Sequence, residues 1–194
     1  MAKKKIKKPI KKKEETKRDI KVVNIVISTS LKHDIPLEKM AATLSNTEYN
    51  PEQFPGLVIR IKEPKTSALI FSSGKVVCTG ARSMEKVEES IKKIIKSLEK
   101  INVKITIKPE IKIQNIVASG TVGMDLNLNT LAMKLENTEY EPEQFPGLVY
   151  KLEEAKATFL LFSNGKVVCT GTKSEKEVHA ALDKLIERLK KVKA

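Results

Sequence analysis

The sequence predicts an α+β fold built twice over, in which helices cover one face of a largely antiparallel sheet. Three observations lead there. A block beginning at Asn24 returns from Asn115 at a constant offset of 91 positions, so NTEYNPEQFPGLV (46–58) recurs as NTEYEPEQFPGLV (137–149) and FSSGKVVCTG (71–80) as FSNGKVVCTG (162–171). Each block mixes short β-branched runs, bounded by turn residues, with stretches of helical periodicity. Two copies are too few for a solenoid, which needs three or more repeats to bury a continuous core. Two similar halves with a short connection therefore imply a pseudo-twofold molecule.

The elements follow in order. Residues 22–30 (VVNIVISTS) are β-branched and read as a strand, and 37–45 place Leu37, Met40, Ala41 and Leu44 on one helical face. A loop runs through Tyr49 to a turn at Pro55 and Gly56. Three short strands come next, near 57–62, 66–72 and 75–80. The last two are joined by Ser73-Gly74 in the first copy and Asn164-Gly165 in the second, and Asn-Gly between apolar runs is a strong hairpin signal. A long helix from Ser83 stripes Val87, Ile91, Ile94, Ile95 and Leu98, matched by Val178, Leu182, Leu185, Ile186 and Leu189. Residues 102–113 alternate and read as an extended linker strand into the second copy. Each repeat then holds two helices and about five strands, with boundaries at 1–21 for a tail, 22–112 for the first repeat and linker, and 113–194 for the second repeat.

Charge is unevenly placed. The net charge is +13, and residues 1–21 hold eleven Lys/Arg against three acids, so that this segment reads as a disordered tail. Residues 22–112 carry fifteen bases and ten acids, whereas 113–194 carry eleven of each. A basic chain favours anionic partners, nucleic acid or an acidic membrane surface. No apolar run is long enough to span a membrane and no secretory signal is present, which points to a cytoplasmic, chromosome-associated protein. Cys78 and Cys169 fall at equivalent positions and read as buried small hydrophobes rather than a disulfide.

Strand parity narrows the function. Asn24, Val26 and Ser28 share one side and Ile25 and Ile27 the other; Leu69 and Phe71 oppose Ala68 and Ile70; Val77 and Thr79 oppose Val76 and Cys78. Two helices per repeat cover one face, leaving the other apolar and uncharged over more area than solvated monomers usually expose. A homodimer, a sandwich closed on itself, or a ligand would each fill it. Phe54 and Phe145 sit in Pro-stiffened Pro-Glu-Gln-Phe-Pro-Gly loops, and Phe71 and Phe162 sit at strand ends beside tight hairpins. Edge aromatics beside a Val/Thr/Asn face suit the DNA minor groove, where A·T pairs present only acceptors and apolar wedges enter between base steps. A duplex also looks alike from either end, as a pseudo-twofold protein requires.

These motifs together, Tyr-x-Pro-Glu-x-Phe-Pro-Gly-Leu and Phe-Ser-x-Gly-Lys-x-Val-x-Thr-Gly in both halves with the Gln-Asn-Ile-Val type of strand start, resemble the TATA-box-binding protein family in its compact archaeal form, over about residues 22–192. The resemblance implies a saddle: a curved ten-stranded antiparallel sheet with four helices on its convex face. It implies kinking wedges at Phe54 with Phe71 and Phe145 with Phe162. Base-edge contacts would be Asn24, Asn115, Thr79 and Thr170; groove-floor contacts would be Val26, Val77, Val117, Val168, Leu69 and Leu160. Arg60, Lys65, Lys75, Lys151, Lys156 and Lys166 would meet phosphates, or else be solvated surface charges. It also implies that transcription factor B docks on the acidic second-repeat loop at Glu139, Tyr140, Glu141 and Glu143, bringing RNA polymerase indirectly, and that the underside could pair as a homodimer without DNA. The Lys-rich tail lies outside the family core and is expected to add salt-sensitive affinity or only solubility.

Catalysis finds no support. There is no P-loop, no Gly-x-Gly-x-x-Gly and no Cys/His cluster with metal spacing, so no cofactor or metal is expected. His33 and His179 are isolated at non-equivalent positions. An unrelated protein-interaction scaffold is the alternative reading; it predicts no A·T preference in DNA binding.

Overall fold

The computed structural model describes residues 19–193. In the first repeat, β1 (Ile20–Ser30) is followed by α1 (Leu37–Thr43), β2 (Thr47–Glu48), β3 (Gly56–Ile61), β4 (Thr66–Phe71), β5 (Lys75–Ala81) and α2 (Met84–Glu99). The second gives β6 (Lys112–Thr121), α3 (Leu128–Lys134), β7 (Thr138–Glu139), β8 (Leu148–Leu152), β9 (Ala157–Leu161), β10 (Lys166–Thr172) and α4 (Glu175–Lys193). All ten strands form one sheet in the order β2-β3-β4-β5-β1-β6-β10-β9-β8-β7, and every pairing is antiparallel. The order is a palindrome about the β1–β6 junction, and the sheet is curved as the saddle reading expects.

Burial follows the expected parity. Ile25, Ile27, Leu57, Ile59, Ala68, Ile70, Val76 and Cys78 form one core with Leu37 and Met40 of α1 and with Val87, Ile91, Ile94 and Leu98 of α2. A second core joins Leu148, Tyr150, Phe159, Leu161, Val167 and Cys169 to Leu128 and Leu131 of α3 and to Leu182, Leu185 and Leu189 of α4. Helices therefore cover a single face of the sheet. α2 starts where Ser83 Oγ accepts from the Lys86 amide, a cap that satisfies one of the open amides of the first turn. Its apolar stripe also buries Ser90, whose hydroxyl donates to Lys86 O (2.8 Å) and lies 2.9 Å from Thr66 Oγ1, so neither buried hydroxyl is orphaned.

Three expectations are corrected. Residues 102–111 form no strand, because both edges of β1 are already taken by β5 and β6. The alternation of that linker instead packs Val103, Ile105 and Ile111 on the first core, and Thr29 Oγ1 donates to Glu110 O (2.6 Å). The fifth strand of each repeat is the two-residue edge β2 or β7, inside what the sequence presents as a loop. Strand β1 starts at Ile20, so Ile20 and Lys21 belong to the sheet rather than to a tail, and Ile20 packs against both cores. Residues 1–18 of the expected tail lie outside the described residues. Among the described residues no helix is long and apolar enough to cross a membrane.

Candidate nucleic-acid interface

The sheet face opposite the helices carries the candidate residues, and strand register sets them in rows. One row runs Glu48, Val58, Leu69, Val77, Ser28, Lys112 across β2, β3, β4, β5, β1 and β6. Its counterpart runs Glu139, Val149, Leu160, Val168, Ser119, Lys21. At the centre Asn24 pairs with Val117 and Val26 with Asn115. These floor side chains between the two ends are uncharged, and all but the exposed Ser119 are half-buried. Val26, Val77, Val117, Val168, Leu69 and Leu160 thus share one surface, as do Asn24, Thr79, Asn115 and Thr170.

A β-bulge builds the polar centre. Between Cys78 and Ala81, β5 holds one more residue than β1 does between Ile27 and Ile25, and β10 repeats this against β6. The extra residue frees a glycine amide from the ladder. The Gly80 N–H donates to Asn24 Oδ1 (2.7 Å), and Thr79 Oγ1 stands 3.1 Å from Asn24 Nδ2 and 3.2 Å from Oδ1. The Gly171 N–H donates to Asn115 Oδ1 (2.8 Å), with Thr170 Oγ1 at 2.9 Å from Nδ2 and 3.2 Å from Oδ1. Each carboxamide oxygen is therefore committed within the protein, which fixes the side chain with its nitrogen toward the threonine. An Asn–Thr pair holds three hydrogens on polar atoms and its two mutual contacts use two of them, so each repeat keeps one donor for a ligand. Gly80 and Gly171 adopt φ of +99° and +97°, and a Cβ would stand 2.9 Å from Lys65 O or Lys156 O. Only glycine makes this bulge without strain.

The aromatic pairs flank the floor. Phe54 and Phe71 have ring centroids 6.0 Å apart at 63°, and Phe145 and Phe162 6.0 Å at 68°, both edge-to-face. Phe54 is 44% and Phe145 43% exposed, while Phe71 and Phe162 are half-buried. The outer ring hangs on a turn in which the Phe54 amide donates to Asn50 O (3.0 Å), or Phe145 to Glu141 O (3.0 Å). A Cβ on Gly56 would lie 2.7 Å from the Phe54 ring, and on Gly147 2.6 Å from that of Phe145, which accounts for glycine after the second proline of each loop. The fifth phenylalanine, Phe159, is wholly core.

Cations rim the floor. Arg60 and Lys151 share a face with Val58 and Val149, and Lys75 and Lys166 with Val77 and Val168; Lys65 and Lys156 lie in the β3–β4 and β8–β9 connections, all exposed. Arg60 is bound by Glu48 (3.1 Å) and Lys151 by Glu139 (2.8 Å). Those contacts hold both carboxyls below their ordinary range and raise both cations. Glu139 is thus occupied by Lys151, while Glu141 and Glu143 are exposed and Tyr140 packs partly against the second core. Ser28 joins Asn24 and Val26 on this face as strand parity expects, and residues outside the candidate set also belong to it: Val58, Val149 and Ser119 on the floor, and Lys21 and Lys112 at the row ends. The signal for Lys21 and Lys112 lies upstream of the alignment, where KRDIKV (17–22) is echoed by KPEIKI (108–113). An open hollow by Asn24, Thr79 and Gly80 adds Lys62 and Arg82 to Arg60 and Lys65. Glu153 replaces Lys62 in the second repeat, so the first is the more basic side. Cys78 and Cys169 are buried free thiols, each pushed up to about 11, chiefly by desolvation. Among the described residues no group of three or more His, Cys, Asp or Glu is placed to hold a metal ion.

A one-sheet, two-repeat saddle with an uncharged floor inside a charged rim and paired edge aromatics defines the class. The family profile described as "Transcription factor TFIID (or TATA-binding protein, TBP)" matches residues 19–101 and 110–192. The chain is 53% identical over 174 residues to the TATA-box-binding protein of Methanocaldococcus jannaschii, covering 90% of this chain and 95% of that one. It is 49% identical over 173 residues to that of Archaeoglobus fulgidus, covering 88% and 94%. The solved structure described as Methanococcus jannaschii TBP superposes with a TM-score of 0.84 at 53% identity, over 89% of this chain and 99% of that one. The chain belongs to the TATA-binding protein family.

Proposed function

We propose that the chain is a general transcription factor that seats its underside in the minor groove of an A·T-rich promoter element, the TATA box. The observation that carries this is the pair of Asn–Thr clusters, whose carboxamide oxygens are already satisfied, on an uncharged floor otherwise made of valine and leucine with two serines. A·T pairs offer only acceptors in that groove, whereas G·C pairs add the guanine N2 donor, which a donor-bearing, apolar floor leaves unpaired. Phe54 with Phe71, and Phe145 with Phe162, enter between base steps at the two ends and kink the duplex toward the major groove. Lys65, Lys75, Lys156 and Lys166, with Arg60 and Lys151 once released from their acids, meet the phosphates and fix register. Transcription factor B docks on the second-repeat loop through Tyr140, Glu141 and Glu143 and leads polymerase to the site. Without DNA, a second copy is the competing occupant of the underside. Residues 1–18 add charge-driven affinity, and their removal should flatten the dependence of binding on salt. No active site enters this account, and the protein works on the chromosome.

Mobility-shift titrations with a TATA duplex and a G·C-substituted duplex test the reading. A clear preference for the TATA duplex supports it; equal affinity favours a scaffold that binds polyanions without reading them.

A further inference from the structure

The face proposed to meet a polyanion carries its own anions, and they recur in register. Glu48 and Glu139 stand at the outer ends of the two underside rows, bonded to Arg60 and Lys151. At the inner ends Lys112 and Lys21 lie opposite Ser28 and Ser119, and each has an acid two residues before it: Glu110 at 3.9 Å and Asp19 at 3.6 Å. Four cations of the rim are thus matched to four carboxylates in two pseudo-symmetric sets. Every partner is well exposed, with side-chain accessibilities from 57% to 81%. Pairs this exposed contribute little to the fold, so stability does not account for two sets kept in register across both repeats. Arg60 and Lys151 are different side chains, yet both find the same acid position, which makes the pairing a property of the face rather than of one contact.

We propose that Glu48, Glu139, Asp19 and Glu110 are competitors for the phosphate-binding cations: duplex entry exchanges carboxylate for phosphate, and the displaced acids limit how tightly the face holds any polyanion. This rests on the DNA-binding reading above and extends it. The face then depends on its uncharged floor, which reads the groove, more than on its rim, which does not. No bond is made or broken beyond these ion contacts, and the cations keep their charge throughout.

The test compares wild type with Glu48→Gln plus Glu139→Gln, and separately with Asp19→Asn plus Glu110→Gln, on a TATA duplex and a G·C-substituted duplex of equal length. Each exposed pair corresponds to about 1.4- to fivefold in an equilibrium constant, so each double variant should tighten binding by roughly two- to 25-fold at low salt. The gain should vanish near 1 M salt, where the screening length is about 3 Å. Unchanged or weaker binding at low salt would overturn the proposal, because acids that merely position the cations leave them worse placed when removed. A gain that persists at 1 M salt would overturn it as well. Wild type that binds both duplexes equally would instead sink the groove-reading function, and the exchange would still be read on either duplex.

Discussion

Truncating the second wedge, Phe145→Ala, probes the step where burial becomes DNA distortion. Phe145 is 43% exposed in the free protein. An aromatic side chain buries roughly 150–250 Å² when wholly enclosed, so about 65–110 Å² remains for a ligand to cover. At about 25 cal/mol/Å² this is worth about 1.6–2.7 kcal/mol, or about 15- to 100-fold in affinity. Its partner Phe162 has less surface left to bury, so Phe162→Ala should cost less binding and more folding stability than Phe145→Ala. Titration of a TATA duplex gives the affinity, and gel mobility with the site permuted along a fragment gives the bend. The double variant should lose much of the distortion along with its affinity, while α-helical content and melting of the Phe145→Ala single variant stay near wild type. Unchanged affinity and an unchanged mobility profile would refute the wedge assignment.

Other outcomes follow from the same geometry. Gly80→Ala or Gly171→Ala should cost about 1–3 kcal/mol of stability, since φ near +98° is closed to alanine and its Cβ would meet a backbone oxygen at 2.9 Å. Such variants should also lose TATA preference more than total DNA affinity, which titrations on the two duplexes would show. Thr172 buries a hydroxyl without a protein partner where the first repeat has Ala81; Thr172→Val should stabilise by about 1–2 kcal/mol in chemical denaturation. The buried thiols Cys78 and Cys169 titrate near 11 against an ordinary value of 9.0. Their folded values are raised, so their contribution to stability is full below about pH 9 and is lost as pH rises toward 11, which denaturation across that range would reveal. In the native state at neutral pH both should resist alkylation.

Much of this molecule could be read from its residues, for identifiable reasons. The 91-residue echo gave the pseudo-twofold, and alternation in β1, β4 and β5 sorted core from underside, because one covered face leaves a clean period of two. The Asn-Gly turn at 164–165 marked the β9–β10 hairpin. What stayed hidden depended on tertiary context. Residues 102–113 have strand periodicity, yet only 112 and 113 join the sheet, as the start of β6, and its centre has no free edge for 102–111. Thr47–Glu48 and Thr138–Glu139 are too short to show a period. The bulge at Gly80 and Gly171, which aligns the asparagines, leaves no mark in hydrophobic pattern, although glycine after a β-branched run is its compositional trace. The pairing of Arg60 with Glu48 links residues of two strands across a loop, and only the register of β2 on β3 brings them together.

Base substitution that changes one groove and spares the other tests the central claim. Inosine·cytosine pairs present the major groove of G·C but lack the N2 amine, so their minor groove resembles that of A·T. A TATA element rebuilt with I·C pairs should bind nearly as tightly as the A·T original and far more tightly than the G·C version. Binding to the I·C duplex no better than to the G·C duplex would contradict the account.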